Sequence, residues 1–260
     1  MKRLLILFAA IILGAALFIF IQIPSESKIK GCFTTSMYNV DFCAKNKNYV
    51  PLKQISSYLQ RAIILTEDSA FYTHEGFDSE GIEKCIEKIK EKKRLVCGGS
   101  TITQQLAKNL FLSADKSFVR KGLEALITMK LEKTLTKKEI LEKYLNVVQF
   151  GKNIFGVKQA AQFYFKKHPS QLDVVESAFL AMVLPSPEKY SKSYFKKDLT
   201  KFARKRLTRI IGDMYKYKSI DEEHYVSAMA KLDSFFQSGQ DSVEKVDDLT
   251  LEDLDEMSEE

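Results

Sequence analysis

A mainly α fold is predicted from three observations. After Lys53, apolar residues recur at three- and four-residue spacing through most of the chain. Two capping boxes, Thr101-Ile-Thr-Gln104 and Thr136-Lys-Lys-Glu139, mark helix starts. No period-2 strand series and no internal repeat breaks that pattern.

The elements follow in order. Leu4 to Ile23 is a run of 20 residues without a charge. As a helix rising about 1.5 Å per residue, it matches a hydrocarbon core of roughly 30 Å. Lys2 and Arg3 precede it, which favours a cytoplasmic N-terminus and places the rest outside; Lys28 and Lys30 weaken that bias slightly. A cleaved signal peptide has a shorter apolar region and a small-x-small site. Ile21-Gln-Ile-Pro-Ser25 offers no good site, so residues 1–23 are expected to be a cytoplasmic tip and a retained transmembrane anchor. Residues 24–50 form a polar linker. Residues 51–236 form the main domain, with helices expected over 53–66, 81–92, 101–112, 117–133, 136–146, 156–166, 173–184, 198–217 and 219–232. Residues 237–260 are acidic and poor in aromatics, the composition of a disordered tail.

Charge is unevenly placed. The net charge is +6, yet 241–260 holds ten acids and one lysine, so the rest of the chain is strongly basic. A basic body beside a membrane suits anionic headgroups or a pyrophosphate-bearing lipid. An external location argues against nucleic acid. Four cysteines allow three pairings. Cys32–Cys43 and Cys85–Cys97 are the short-range choices, while Cys85 also sits on an apolar stripe where a reduced thiol packs equally well.

Three clusters carry chemistry. In Glu67-Asp68-Ser-Ala-Phe71-Tyr-Thr-His74-Glu-Gly76, two acids close an apolar helix, where the helix dipole disfavours them. Such local misfits mark function, and apolar backing raises a carboxylate's proton affinity, as a general base needs. A solvated loop start explains the acids alone, but not Phe71, His74 and Gly76 at fixed offsets. In Gly98-Gly-Ser100-Thr101-Ile-Thr-Gln104-Gln105-Leu-Ala-Lys108-Asn109, paired glycines precede a helix start whose free N–H groups face an anion, and the amides and Lys108 add donors. The P-loop spacing is missing. In Arg120-Lys121-Gly-Leu-Glu124, Glu124 reaches either cation at helical spacing; an exposed salt bridge is the plain alternative.

Together these segments resemble the glycosyltransferase domain of class A penicillin-binding proteins and its monofunctional relatives. The resemblance runs from about Val50 to Tyr190 and includes Ile140-Leu-Glu-Lys-Tyr144-Leu-Asn146. It implies a lysozyme-like, mostly α glycosyltransferase fold. It implies polymerisation of lipid II into β-1,4-linked glycan strands by inverting transfer, with release of the lipid pyrophosphate. Glu67 would be the base acting on the acceptor hydroxyl, and Glu124 the second essential carboxylate, on the donor side. Lys108, Arg120 and Lys121 would neutralise the leaving group. Lys116 stands where many relatives carry arginine, which leaves a point charge in place of a bidentate fork. Asp68 would help hold Mg²⁺ or Mn²⁺ on the pyrophosphate. Phe71, His74, Ser100, Thr101, Gln104, Gln105, Asn109, Glu139 and Asn146 would bind substrate or scaffold the site. The implied partners are lipid II, the lipid-linked nascent glycan, the bilayer and other cell-wall synthesis proteins. The implied location is the external face of the bacterial inner membrane, with Leu110, Phe111, Leu112 and Phe118 as candidates for membrane contact.

Ser-x-x-Lys matches, among them those at Ser25, Ser113, Ser186 and Ser193, are accompanied by no Lys-Thr-Gly or Lys-Ser-Gly, so no transpeptidase is expected. A muramidase or lytic transglycosylase is the rival enzyme, although a hydrolase does not need the basic, amide-rich segment. A non-catalytic membrane scaffold is the second rival.

Overall fold

The computed structural model describes residues 2–93, 99–115, 117–196, 198–232 and 234–236. Lys116, Gly98, Cys97 and the acidic tail 237–260 lie outside the described residues.

The chain opens with α1 (Lys2–Gln22) and a short α2 (Glu26–Lys30), followed by an antiparallel pair, β1 (Phe33–Thr34) and β2 (Asp41–Phe42). Then come α3 (Ser57–Glu67), α4 (Ser79–Lys92), α5 (Ile102–Phe111), α6 (Phe118–Thr134) and α7 (Lys137–Val147). A second hairpin, β3 (Gln149–Gly151) and β4 (Ile154–Phe155), leads into α8 (Val157–Phe165) and α9 (Val174–Val183). Two short helices, α10 (Pro187–Tyr190) and α11 (Lys192–Phe195), precede α12 (Lys201–Lys216) and α13 (Glu222–Leu232). The mainly α expectation holds.

A helix forms where the anchor is expected, but the membrane span is not supported. α1 is a continuous helix of 21 residues, and Leu4, Leu5, Ile6, Leu7, Phe8 and Leu13 are exposed on it. Among the described residues, however, no helix is long and apolar enough to cross a membrane.

The core is organised around α9. Its sequence is apolar on every face except Glu176 and Ser177, and every one of its residues is buried, as a helix without a polar face must be. α3, α12 and α13 pack around it. α5 packs on α6 and α7 as a second layer. Both predicted capping boxes form: Thr101 with Gln104 opens α5, and Thr136 with Glu139 opens α7. α3 starts later than the periodicity suggests. Leu52–Gln54 is a 3-10 turn and Ile55 is extended, because the Ser56 hydroxyl donates to the Leu172 carbonyl at 2.7 Å and fixes the entry from outside the helix.

The β1–β2 register sets Phe33 opposite Phe42, so the flanking Cys32 and Cys43 meet in a disulfide. Cys85 is also disulfide-bonded, which removes the reduced-thiol alternative. The first hairpin rests on α5, through the Ser36 N–H to the Leu110 carbonyl and a Phe33–Phe111 stack at 5.1 Å. The membrane-contact expectation is corrected accordingly: Leu110 and Leu112 are buried and Phe111 is half-buried against Phe33. Phe118, 98% exposed, and its neighbour Val119 are the residues that face outward.

Candidate active site

The site forms where the end of α3 meets the start of α5 and the first turns of α6. Glu67 is the last residue of α3 and Asp68 caps it. These adjacent acids face different surroundings.

Asp68 is buried, and each of its oxygens accepts one hydrogen bond. Its Oδ1 pairs with His74 Nε2 at 2.8 Å, and its Oδ2 accepts the Ile102 N–H at 2.9 Å. His74 Nδ1 accepts the Gly76 N–H at 3.0 Å, so the ring proton sits on Nε2 and is donated to Asp68. Gly76 has φ +96°, and a Cβ there would lie 2.8 Å from Thr128 Cγ2, so only glycine fits. Its carbonyl accepts the Thr101 hydroxyl at 2.7 Å. The Glu-Asp-x-x-Phe-x-x-His-x-Gly segment is thus a brace that fixes the α5 N-terminus against α3. Phe71 is fully buried in it, with the Lys137 ammonium 4.8 Å from its ring centroid.

The residue that would hold the cation implied by the resemblance is Asp68, which lines the same small cavity as Glu67. Each of its oxygens accepts one hydrogen bond and keeps a second lone pair. Among the described residues, no group of three His, Cys, Asp or Glu is placed to hold a metal ion.

Glu67 is less fully engaged. Its Oε2 accepts one hydrogen bond, from Gln105 Nε2 at 2.8 Å. The Gln105 Oε1 in turn accepts the Tyr144 hydroxyl at 3.0 Å, which holds the amide with its NH₂ toward Glu67. Burial pushes the Glu67 carboxyl above its ordinary value; the Gln105 bond and the Arg206 charge pull it back, Asp68 adds to the rise, and Lys108 opposes it. Glu67 opens into a cavity of about 170 Å³ lined also by Asp68, Asp78, Gly99, Ser100 and Thr101.

Glu124, on α6, is also buried but meets cations. Arg120 Nη1 lies 2.9 Å from Oε2, and the Lys121 ammonium pairs with Oε1. Lys121 also reaches toward the Ser100 hydroxyl at 3.5 Å. Arg120 Nε is buried without a hydrogen-bond partner among the described residues, so this guanidinium keeps a donor unspent. Lys108 feels both Glu67 and Glu124, and has no ion-pair partner among the described residues. Burial lowers its pKa most, Glu124 opposes that, and the Arg120 and Lys121 charges lower it further.

Other predicted site residues are committed to scaffolding. Gln104 closes the cap on Thr101, and Glu139 closes the cap on Thr136. The Asn146 amide clamps Val50 through both backbone atoms, at 2.7 and 2.8 Å. Asn109 is buried, with its Oδ1 unpartnered among the described residues. Two contributors escaped sequence reasoning. Tyr144 reads as a core residue on an apolar stripe, and Arg206 belongs to the basic run of α12 with no local signal of its proximity to Glu67.

A family model described as Transglycosylase matches residues 35–215. The biosynthetic peptidoglycan transglycosylase of Aromatoleum aromaticum is 51% identical over 146 residues, covering 56% of this chain and 64% of that protein. The protein of the same description from Azoarcus sp. is 51% identical over 146 residues, 56% of this chain and 63% of its own length. That from Nitrosospira multiformis is 46% identical over 171 residues, 66% of this chain and 73% of its own length. The chain therefore spans just under two thirds of the first two relatives and somewhat more of the third.

Proposed function

Since the chain belongs to the transglycosylase family, we propose that it polymerises lipid-linked disaccharide precursors into peptidoglycan glycan strands. The observation that carries this reading is a desolvated carboxylate beside a cationic cluster. Glu67 has its proton affinity raised by burial, while Lys108, Arg120 and Lys121 gather around Glu124. A base poised above the usual carboxylate range suits removal of a proton from an attacking sugar hydroxyl. A cluster with unspent donors, the Lys108 ammonium and Arg120 Nε, suits charge growing on a departing pyrophosphate. Cleavage of glycan would need the first feature and not the second.

Glu67 takes the acceptor's hydroxyl proton as that oxygen attacks the anomeric carbon from the face opposite the pyrophosphate. The bond to the pyrophosphate oxygen breaks, and its electron pair stays with the leaving group. Gln105, steered by Tyr144, keeps Glu67 aimed. Glu124 holds Arg120 and Lys121 in place so that their remaining donors face the departing phosphate.

Membrane association belongs to the same reading. A lipid-linked substrate brings its reacting carbon to the bilayer surface, and the exposed apolar side chains of α1 and of Phe118–Val119 are suited to meet it there, at the external face of the inner membrane. Purified protein given labelled lipid II should build polymer. Shortening of preformed glycan without polymer formation would instead establish the lytic rival, and neither activity would leave the scaffold.

A further inference from the structure

A second concave region opens at the far end of α3 from Glu67, where α12 ends and α13 begins. It encloses about 420 Å³ and is lined by Tyr58 and Arg61 of α3, Tyr215 of α12, the turn Lys218–Asp221, and His224. That turn lies past residue 215, where the match to the family model ends, so the family likeness does not extend to it. α3 and α12 pack on each other. Arg206 acts on Glu67 from the first half of α12, and Tyr215 lines the cavity from its last turn. The two helices therefore run in opposite directions, with the Glu67 cleft at one end of the pair and this cavity at the other. At about 1.5 Å per residue, Arg61 stands roughly 9 Å along α3 from Glu67.

Aromatic rings, cations and a carboxylate converge there. Tyr215 stacks on Tyr225 with ring centroids 4.7 Å apart, and Tyr58 lies 5.5 Å from the His224 ring, so both aromatic walls are held by their neighbours. Arg61 and Lys218 bring two cations with no carboxylate partner among the described residues. Arg61 Nη1 donates to the Ser219 carbonyl at 2.5 Å, which leaves most of the guanidinium donors unspent. Asp221 Oδ1 accepts the His224 backbone N–H at 2.9 Å and pairs with the His224 ring at 2.6 Å, while Oδ2 has no partner among the described residues. Ring faces suit the apolar faces of a sugar, a free carboxylate oxygen suits its hydroxyls, and unpaired cations suit a carboxylate. A lone anion has no use for the aromatic walls, and a neutral sugar has no use for the cations. We propose that this cavity binds a carboxylate-bearing saccharide, a unit of the glycan strand with its acidic peptide. The choice of ligand rests on the polymerase reading above, in which such a strand grows at the Glu67 end of the same helix pair.

Ligand-detected NMR titration of the full chain with a muramyl disaccharide-dipeptide tests this, with diacetylchitobiose and the dipeptide alone as comparators. The disaccharide-dipeptide should bind several-fold more tightly than either comparator. Lys218 has φ +55°, a conformation that asparagine tolerates, so Lys218→Asn removes the charge without straining the turn. It should weaken the charged probe by about threefold to fivefold, the scale of one exposed ion pair, and leave diacetylchitobiose unaffected. Tyr215→Leu keeps an apolar side chain against Tyr225 and should weaken both saccharides by roughly tenfold, the scale of one aromatic contact, with helical circular dichroism retained. No binding of the disaccharide-dipeptide, equal affinity for the dipeptide alone, a charge preference that survives Lys218→Asn, or saccharide affinity unchanged in Tyr215→Leu would each overturn the proposal. Lipid II polymerisation is measured separately. Polymer without probe binding removes this site and keeps the polymerase reading, whereas Lys218-dependent binding without polymer keeps the site and removes that reading.

Discussion

The end of α3 and the first turns of α6 each present a buried glutamate, and their surroundings oppose each other. At Glu67 the carboxylate loses water, gains a single side-chain hydrogen bond and sits at the negative end of a helix, so its proton affinity rises. At Glu124 the carboxylate is held by Arg120 and Lys121 together. One site withholds compensation, and the other supplies it twice over. Under the proposed function the first would act as a base and the second as a fixed anion that arranges cations, so that one residue type would serve opposite ends of a reaction because its neighbours differ; adjacent Asp68 braces the fold through His74 and a backbone N–H.

The largest effect that separates the two regions is expected at Glu67. Glu67→Gln should cut lipid II polymerisation by roughly 10²- to 10⁴-fold, the usual contribution of a general base. The same change should raise the melting temperature at neutral pH. A carboxyl whose folded pKa is raised contributes stability fully below its unfolded value near 4.5, and that contribution is lost as pH rises through the folded value. The variant's advantage should therefore be visible at pH 7 and vanish in acid. A melting temperature that drops at pH 7 would show that Glu67 is compensated in a way its contacts do not reveal.

Glu124→Gln should also abolish turnover, with the opposite effect on stability. Breaking a buried ion pair from one side costs roughly 3–5 kcal/mol, and the half-exposed Lys121 moves the expectation to the low end of that range. Helical circular dichroism at 25 °C should be retained. Loss of the helical signal would make Glu124 structural, and a stabilised variant would erase the contrast with Glu67.

A smaller effect tests how the base is aimed. Tyr144→Phe removes the donor that orients Gln105, and that amide lowers the proton affinity of Glu67. The acid limb of the pH–rate profile should move upward, and the rate at neutral pH should fall by about threefold to tenfold, the worth of one hydrogen bond. A fall in rate with an unmoved acid limb would mean that Tyr144 supports packing alone.

Much of this contrast was legible in the sequence, and the rest was hidden for identifiable reasons. The 3.6-residue period located the long helices of the domain, and both predicted capping boxes close reciprocally, since each is a local pattern. The late start of α3 was not legible, because Ser56 is held by a carbonyl 116 residues away. The motifs gathered the site residues without separating those that touch substrate from those that brace the fold. That division depends on partners distant in sequence: Val50 for Asn146, the Ile102 N–H for Asp68 and Tyr144 for Gln105. The basic run of α12 gave no hint that Arg206 acts on Glu67.

The smallest expected effect falls at Glu139, which the resemblance groups with the substrate-binding residues. Its carboxylate accepts the Thr136 N–H and hydroxyl, each at 2.8 Å, and the Thr136 backbone bond is the main reason its pKa is lowered. The linkage sign is the reverse of that at Glu67: the stabilisation is present above the unfolded value near 4.5 and is lost as pH falls through the folded value. Glu139→Ala should cost about 1 kcal/mol at neutral pH, as the loss of a helix cap does, and the deficit should shrink in acid. Glu139→Gln keeps an acceptor at the cap and should recover most of it. The KM for lipid II should stay at the wild-type value in both variants, because both hydrogen bonds of this carboxylate serve its own helix start. A severalfold rise in KM with unchanged stability would move Glu139 from the frame of α7 into the substrate cleft.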